Sequence, residues 1–460
     1  MHPLQIRKRA ELELKLNGLA DEFTEWKQRT AAKAPLEKHN SQVARLTRQL
    51  ERARAKLVEQ ISDTSFDILD EARTTEADVL AVYRIWDFFR SKLSQRDSDG
   101  LRKFLIAADD LAWACYAPMC NAKVSAFPAW RPRVKEPPLS FLNGGASPFA
   151  QVRNVAFQIE DTLDDGLDLE KFGQLVQKLP IPVVGIPWHE LSHLPEILVV
   201  GHEIGHAVEF DLALTKDLQQ ALTDIGLDAN RLLAWQAWRS EVFADVFGAI
   251  ACGPAFVGTL LDFLAEPKLS VISESRSAPD WGDYPTVALR VRIVIEAIRL
   301  AGHTAEADGR AAEWTTLYGE KHAMQAFDGD VAHVVEAFAM TTLEGLGGAT
   351  IHSLVGFDTG MHERAVLAAD ELLAPGNPGT KDAREVLAGV RLAFERAPAA
   401  LAPVERGGKG VVLRALTFLE SARGAGVRSS LVVEEEAEKQ QTQYDADAGD
   451  EWLKVLQKRE

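Results

Sequence analysis

Cysteine is scarce in this chain. Cys115, Cys120 and Cys252 are odd in number and show no CxxC spacing, which argues against a disulfide framework and leaves them as small buried residues. Long apolar runs are also missing. No stretch of about 18 or more uncharged apolar residues marks a membrane span, and the opening MHPLQIRKRAELELKL lacks the continuous apolar segment of a secretory signal. The expected location is therefore the cytoplasm. Positive charge is in deficit, with 51 Lys and Arg against 68 Asp and Glu and a net charge of -17. Tracking a polyanion needs clustered Lys and Arg, so no nucleic-acid partner is expected for the body of the protein. No internal repeat of fixed period is visible.

What is present suits a large folded protein. At 460 residues, 46% apolar and 26% charged, the chain can build a sizeable core and two or three structural units. Residues 1–60 depart from the acidic average, with thirteen Lys and Arg against eight Asp and Glu. This local excess reads first as a solvated helical arm and second as a contact for an acidic partner. Val43, Leu46, Leu50, Ala53 and Leu57 recur in the rhythm of a coiled-coil seam. Pro35 separates that helix from an earlier one over about residues 5–31, so a helical hairpin over 1–62 is expected, with self-association or a protein partner as its role.

Two further helical patterns lie near 74–95 and 99–116, within a helical region over 63–123. Prolines and glycines then break the texture at 124–148, where Leu139–Leu142 is a candidate strand. A second candidate strand, Pro182–Ile186, is apolar and β-branched. Helix follows helix beyond residue 285, giving a helical C-terminal region over 301–428. The last segment, 429–460, is rich in acids, with Glu434–Glu436, Asp445, Asp447 and Asp450, and is expected to be a mostly disordered tail.

The chemistry concentrates in WHELSHLPEILVVGHEIGHAVEFD, which spells His-Glu-x-x-His twice, at His189–His193 and at His202–His206. Two histidines four apart share one helix face only where the turn between them is unbroken. The second copy meets this condition. Its helix is expected to start at Pro195 and run through Phe210, with Ile197, Val200, Ile204 and Val208 facing the core and His202, His206 and Glu209 on another face. Gly201 and Gly205 weaken that helix by roughly 1 kcal/mol each against alanine, which makes sense if something approaches its backbone closely. The first copy fails, because Pro195 follows His193 by two residues and prevents HELSH from continuing as helix. It is expected as a turn whose His189, Glu190 and His193 line a rim at most.

Hydrolytic zinc takes three protein ligands and keeps a fourth position for water. A metzincin would place its third histidine where this chain has Leu212, with glycine where Glu209 stands, so that arrangement is excluded. Thirty-five residues after His206 the sequence WRSEVFADVFG puts Glu241, Ala244 and Asp245 on one face of a helix that can begin at Asp228. The same face carries Ala234, Ala237 and Gly248, small enough for close helix packing. Glu241 is the expected third ligand, and Asp245, one turn on, can orient a ligating histidine.

HEIGH followed by ExxAD resembles the gluzincin metallopeptidases, and it is similar to the soluble catalytic core of the CAAX-prenyl-protease and heat-shock membrane protease type. The likeness covers about residues 180–295. It implies one zinc per chain on His202, His206 and Glu241, Glu203 as general base, and hydrolysis of a peptide or protein substrate. That family often has a His-Pro step and then an arginine, where this chain reads WGDYPTVALR, with Tyr284, Pro285 and Arg290. Tyr284 can donate to a developing oxyanion, or simply cap a helix beginning at Pro285. The expected fold is mainly α with a small β-sheet, an α+β arrangement, in which a zincin-like core over 124–300 is flanked by helical regions. A helical scaffold that keeps a structural zinc, or a zinc hydrolase of a non-peptide bond, stays open as another reading.

Overall fold

Leu12, Leu16, Leu19, Phe23 and Trp26 line one face of the first helix, α1 (Pro3–Arg29), and bury it against α2 (Asn40–Ser62) and α3 (Ala72–Ser94). The computed structural model describes residues 2–34, 36–145, 148–150, 179–401, 410–422 and 435–457; Pro35 lies outside them. The expected hairpin is present, and its seam is fully covered: Val43, Leu46, Leu50, Ala53 and Leu57 are buried within the chain. The fourth helix, α4 (Asp99–Ala126), runs past the expected end at 116 and through Pro118, held by burial of Met119, Cys120 and Val124 in the larger core.

Three strands follow: β1 (Leu139–Asn143), β2 (Phe149–Ala150) and β3 (Val183–Pro187), in spatial order β1-β3-β2. β3 pairs parallel with β1, from Leu139 opposite Val183 to Asn143 opposite Pro187, and antiparallel with β2. Leu139, Phe141 and Val183 point into the core of α1–α3, while Leu142, Val184 and Ile186 point into the larger core. Both faces of β1 and β3 are therefore dry, which is why these two strands read as apolar runs without polar alternation.

The larger core gathers α4 and the helices after the sheet: α5 (Val200–Asp211), α6 (Thr215–Asp224), α7 (Ala229–Phe263), α8 (Val287–Leu300), α9 (Thr304–Tyr318), α10 (Val331–Ala339), α11 (Thr359–Leu373), α12 (Ala383–Arg396) and α13 (Val411–Ala422). Asp228 caps α7 as expected, accepting from the backbone N–H groups of Asn230 and Arg231. α7 is long and apolar enough to cross a membrane by length and composition, with mean hydropathy 1.7 over a window 89% buried in the protein. It bends at Gly253, whose φ of 68° suits glycine, and Pro254 follows. A Cβ at 253 would lie 2.4 Å from the Phe357 ring.

The acidic end of the chain differs from expectation. Residues 435–457 form a helix, α14 (Glu435–Gln457), rather than a disordered tail, and α14 lies along α2. Local composition favours disorder, but Asp445 and Asp450 meet Arg45, Arg48, Arg52 and Lys56, and Trp452 and Leu453 are buried. The architecture is mainly α with a small sheet.

Candidate metal centre

Pro195 opens the approach to the metal motif, but in tight 3-10 turns over Leu194–Val199; regular α-helix begins at Val200, later than expected, and ends at Asp211. The core stripe is as expected, with Ile197, Val200, Ile204 and Val208 buried. α5 packs on α7 so closely that a Cβ at Gly205 would lie 2.8 Å from Cα of Ala244, and one at Gly201 would lie 3.0 Å from Sγ of Cys252. The two glycines are thus the condition for bringing Glu241, on α7, to the histidines of α5.

His202, His206 and Glu241 converge, with one possible ligand atom from each lying within 4.8 Å of the others. Nε2 of His202 is 3.2 Å from Nε2 of His206 and 3.2 Å from Oε2 of Glu241, and Nε2 of His206 is 3.6 Å from Oε1 of Glu241. A tetrahedral ion bound at about 2.1 Å separates its ligand atoms by about 3.4 Å, so these spacings fit a small cation among the three side chains. The donor set, two imidazole nitrogens and a carboxylate, suits a borderline-soft divalent metal. All three residues are buried, as is Glu203 between the histidines.

Asp245 holds His202 from behind. His202 Nδ1 lies 2.8 Å from Oδ1 of Asp245, so an Nδ1–H donates there and leaves Nε2 with its lone pair directed at the site. Arg290 donates to the same carboxylate twice, at 2.8 Å through Nε and 2.8 Å through Nη2. Burial alone would raise the Asp245 carboxyl, but the Arg290 charge and hydrogen bonds, with those of His202, overcome it and hold Asp245 below the ordinary carboxylate range. Arg290 is raised in turn: burial opposes its charge, and Asp245, Tyr284 and Glu203 outweigh the burial. Tyr284 is 46% exposed, and the Arg290 guanidinium sits 5.6 Å from its ring centre. Its segment is tied to α7 where Trp238 Nε1 donates to the carbonyl of Trp281 at 2.9 Å. The helix that follows begins at Val287, not at Pro285, with Thr286 in the N-cap position but making no side-chain capping bond.

The second histidine has a partner that the sequence did not suggest. His206 Nδ1 lies 3.1 Å from Oγ of Ser240, the residue before Glu241. A lone serine carries no motif signal, although its place one residue before an expected ligand on a close-packed helix was available as a clue. Glu209, expected on the ligand face, instead accepts from Arg239 at 3.1 Å and from Thr215 at 3.1 Å.

The first His-Glu-x-x-His forms a 3-10 turn, Trp188–Ser192, as its proline requires. His189 is exposed, and the His193 ring meets Phe394 edge-on at 4.7 Å. Neither joins the metal-competent group found among the described residues. Glu190 is buried, and burial together with a hydrogen bond and charge from Glu196 pushes its carboxyl up to about 9. No protein-family model matches this chain, and no curated protein or solved structure matches it.

Proposed function

We propose that the chain is a zinc-dependent metallopeptidase of gluzincin type, with a zincin-like core built from the sheet, α5 and α7. The observation that carries this reading is the convergence of His202, His206 and Glu241 at tetrahedral spacing beside the buried Glu203. A structural zinc is normally closed by four protein side chains, whereas the group among the described residues has three. This favours catalysis over a scaffold role.

Zinc, when bound, lowers the pKa of a water toward about 7 and polarises a carbonyl. The protein's own residues do the rest. The Glu203 carboxylate accepts the proton of the attacking water and returns it to the leaving amine nitrogen, so that no acyl-enzyme forms. Asp245, fixed by Arg290, keeps His202 in the tautomer that presents Nε2. Tyr284 is assigned to donate to the developing oxyanion from the half-exposed segment beside Arg290. Among the described strands β2 lies at an edge and contacts α5, and an extended peptide adding to that edge would lie along the metal helix.

The deciding experiment combines zinc analysis with peptide-library cleavage. Wild type should carry one zinc and cleave. Glu203→Gln should keep zinc while turnover falls by about 10²–10⁴-fold. His202→Ala and His206→Ala should lose most of the metal, whereas His189→Ala and His193→Ala should keep it. Unchanged turnover in Glu203→Gln, or a wild type without zinc, would overturn the reading.

A further inference from the structure

α5 and α7 run antiparallel and meet along a ladder of near approaches. Ahead of α5, the Pro195 carbonyl accepts from Oγ1 of Thr259 on α7 at 2.9 Å. A Cβ at Gly201 would lie 3.6 Å from Cα of Gly248, and one at Gly205 would lie 2.8 Å from Cα of Ala244. His206 then meets Ser240, and the last rung is charged: Arg239 Nε donates to Oε1 of Glu209 at 3.1 Å. Thr215, the first residue of α6, donates its hydroxyl to the same oxygen at 3.1 Å, and the Leu214 N–H donates to the Glu209 carbonyl at 2.9 Å. The pair is largely out of water, with the Arg239 side chain 17% and the Glu209 side chain 6% exposed.

The glycine contacts set how near the two helices lie, but small faces offer few knobs to stop one helix sliding along the other. A slip of one residue moves a side chain about 1.5 Å along the axis. A binding constellation tolerates only about 0.5 Å. Three consecutive residues of α7 share the work: Arg239 grips Glu209, Ser240 meets His206, and Glu241 reaches both histidines. A shift at the first therefore displaces the other two. A buried ion pair is weak evidence for stability, because desolvation cancels much of its attraction, and fixing register is its best-attested use.

We propose, on the metal reading above and without reliance on peptide cleavage, that Arg239 and Glu209 are positioning residues. They lock α7 in register on α5 and thereby hold Ser240 and Glu241 where the metal needs them.

The test measures zinc affinity by chelator competition and the visible absorption of the cobalt(II)-loaded chain, at a temperature where circular dichroism shows every variant folded. Arg239→Gln and Glu209→Gln should each weaken zinc binding by about 10–100-fold and alter the cobalt bands. Arg239→Lys keeps the charge and should recover most of the affinity. The losses should not add: in the Arg239→Gln background, Ser240→Ala should cost little more, because the hydroxyl has already been drawn away from His206. A pair that only holds the fold together behaves otherwise. If Arg239→Gln and Glu209→Gln lower the melting temperature but keep the zinc affinity and cobalt spectrum of wild type, or if the loss in Arg239→Gln adds in full to that of Ser240→Ala, the proposal is overturned. A wild type that binds neither metal overturns the metal centre and this proposal together. Weakened zinc binding in Arg239→Gln, beside a wild type that holds zinc but cleaves no peptide, supports the register lock and overturns only the peptidase reading.

Discussion

Ser240 and Asp245 do the same task for the two histidines with different chemistry. A buried carboxylate with its own arginine orients His202, while a neutral hydroxyl orients His206. Asp245→Ala should weaken zinc binding by about 10–100-fold, measured by competition with a chelator. It should also lower the melting temperature, because Arg290 is left buried without its carboxylate, a loss of about 3–5 kcal/mol. Ser240→Ala should cost zinc affinity less, about tenfold or under, and leave the melting temperature nearly unchanged. The residues proposed as ligands and base, and Asp245, were legible because they sit at helical spacing within two short motifs. Ser240 and the partners of Glu209 were not, because their roles depend on which turn of α7 faces α5. Glu190 gives a separate test. Its folded carboxyl sits at about 9 against 4.5 in the ordinary state, so the folded chain holds a proton that the unfolded chain releases. The stability this contributes is full below about 4.5 and is lost as pH rises toward 9. Glu190→Gln should therefore gain on wild type in melting temperature between pH 5 and pH 8, and a difference that stays flat would refute the assignment.

At the scale of elements, the site is a contact between two helices, and Gly205 sets its distance. Gly205→Ala gains helix propensity, roughly 1 kcal/mol. It also places a Cβ 2.8 Å from the α7 backbone, and overpacking of this kind costs about 1–3 kcal/mol. The expected outcome is weaker zinc binding with equal or lower thermal stability; a variant that binds zinc as wild type does would show that the helices can part without moving Glu241. The cap at Asp228, strands β1 and β3 and the interruption of HELSH were readable from local chemistry, since each depends on neighbours within a few residues. The helix at 435–457 was not, because its stabilising cations lie about 400 residues away in sequence. The extension of α4 through Pro118 likewise depends on a core that only the assembled fold supplies.

For the whole molecule, the metal should act as a staple of the larger core. α5 and α7 both belong to that core, and α1–α3 belong to the other, with the sheet between them. A ligand that binds only the folded state stabilises it, by about 4 kcal/mol when its concentration is a thousand times its dissociation constant. Removing zinc with a chelator should therefore lower the melting temperature by several degrees, and hydrogen exchange should quicken in α5 and α7 before it quickens in α1 and α2. Equal loss of protection in both cores would argue that they unfold as one unit. The pairing of Asp445 with Arg45 spans 400 residues of chain. A ribosome adds about 5–20 residues each second, so α2 emerges roughly 20–80 seconds before the helix that will cover it. Throughout that interval Arg48, Arg52 and Lys56 wait for the acids of α14, while Arg45 already has the Val134 carbonyl and Glu136 to meet.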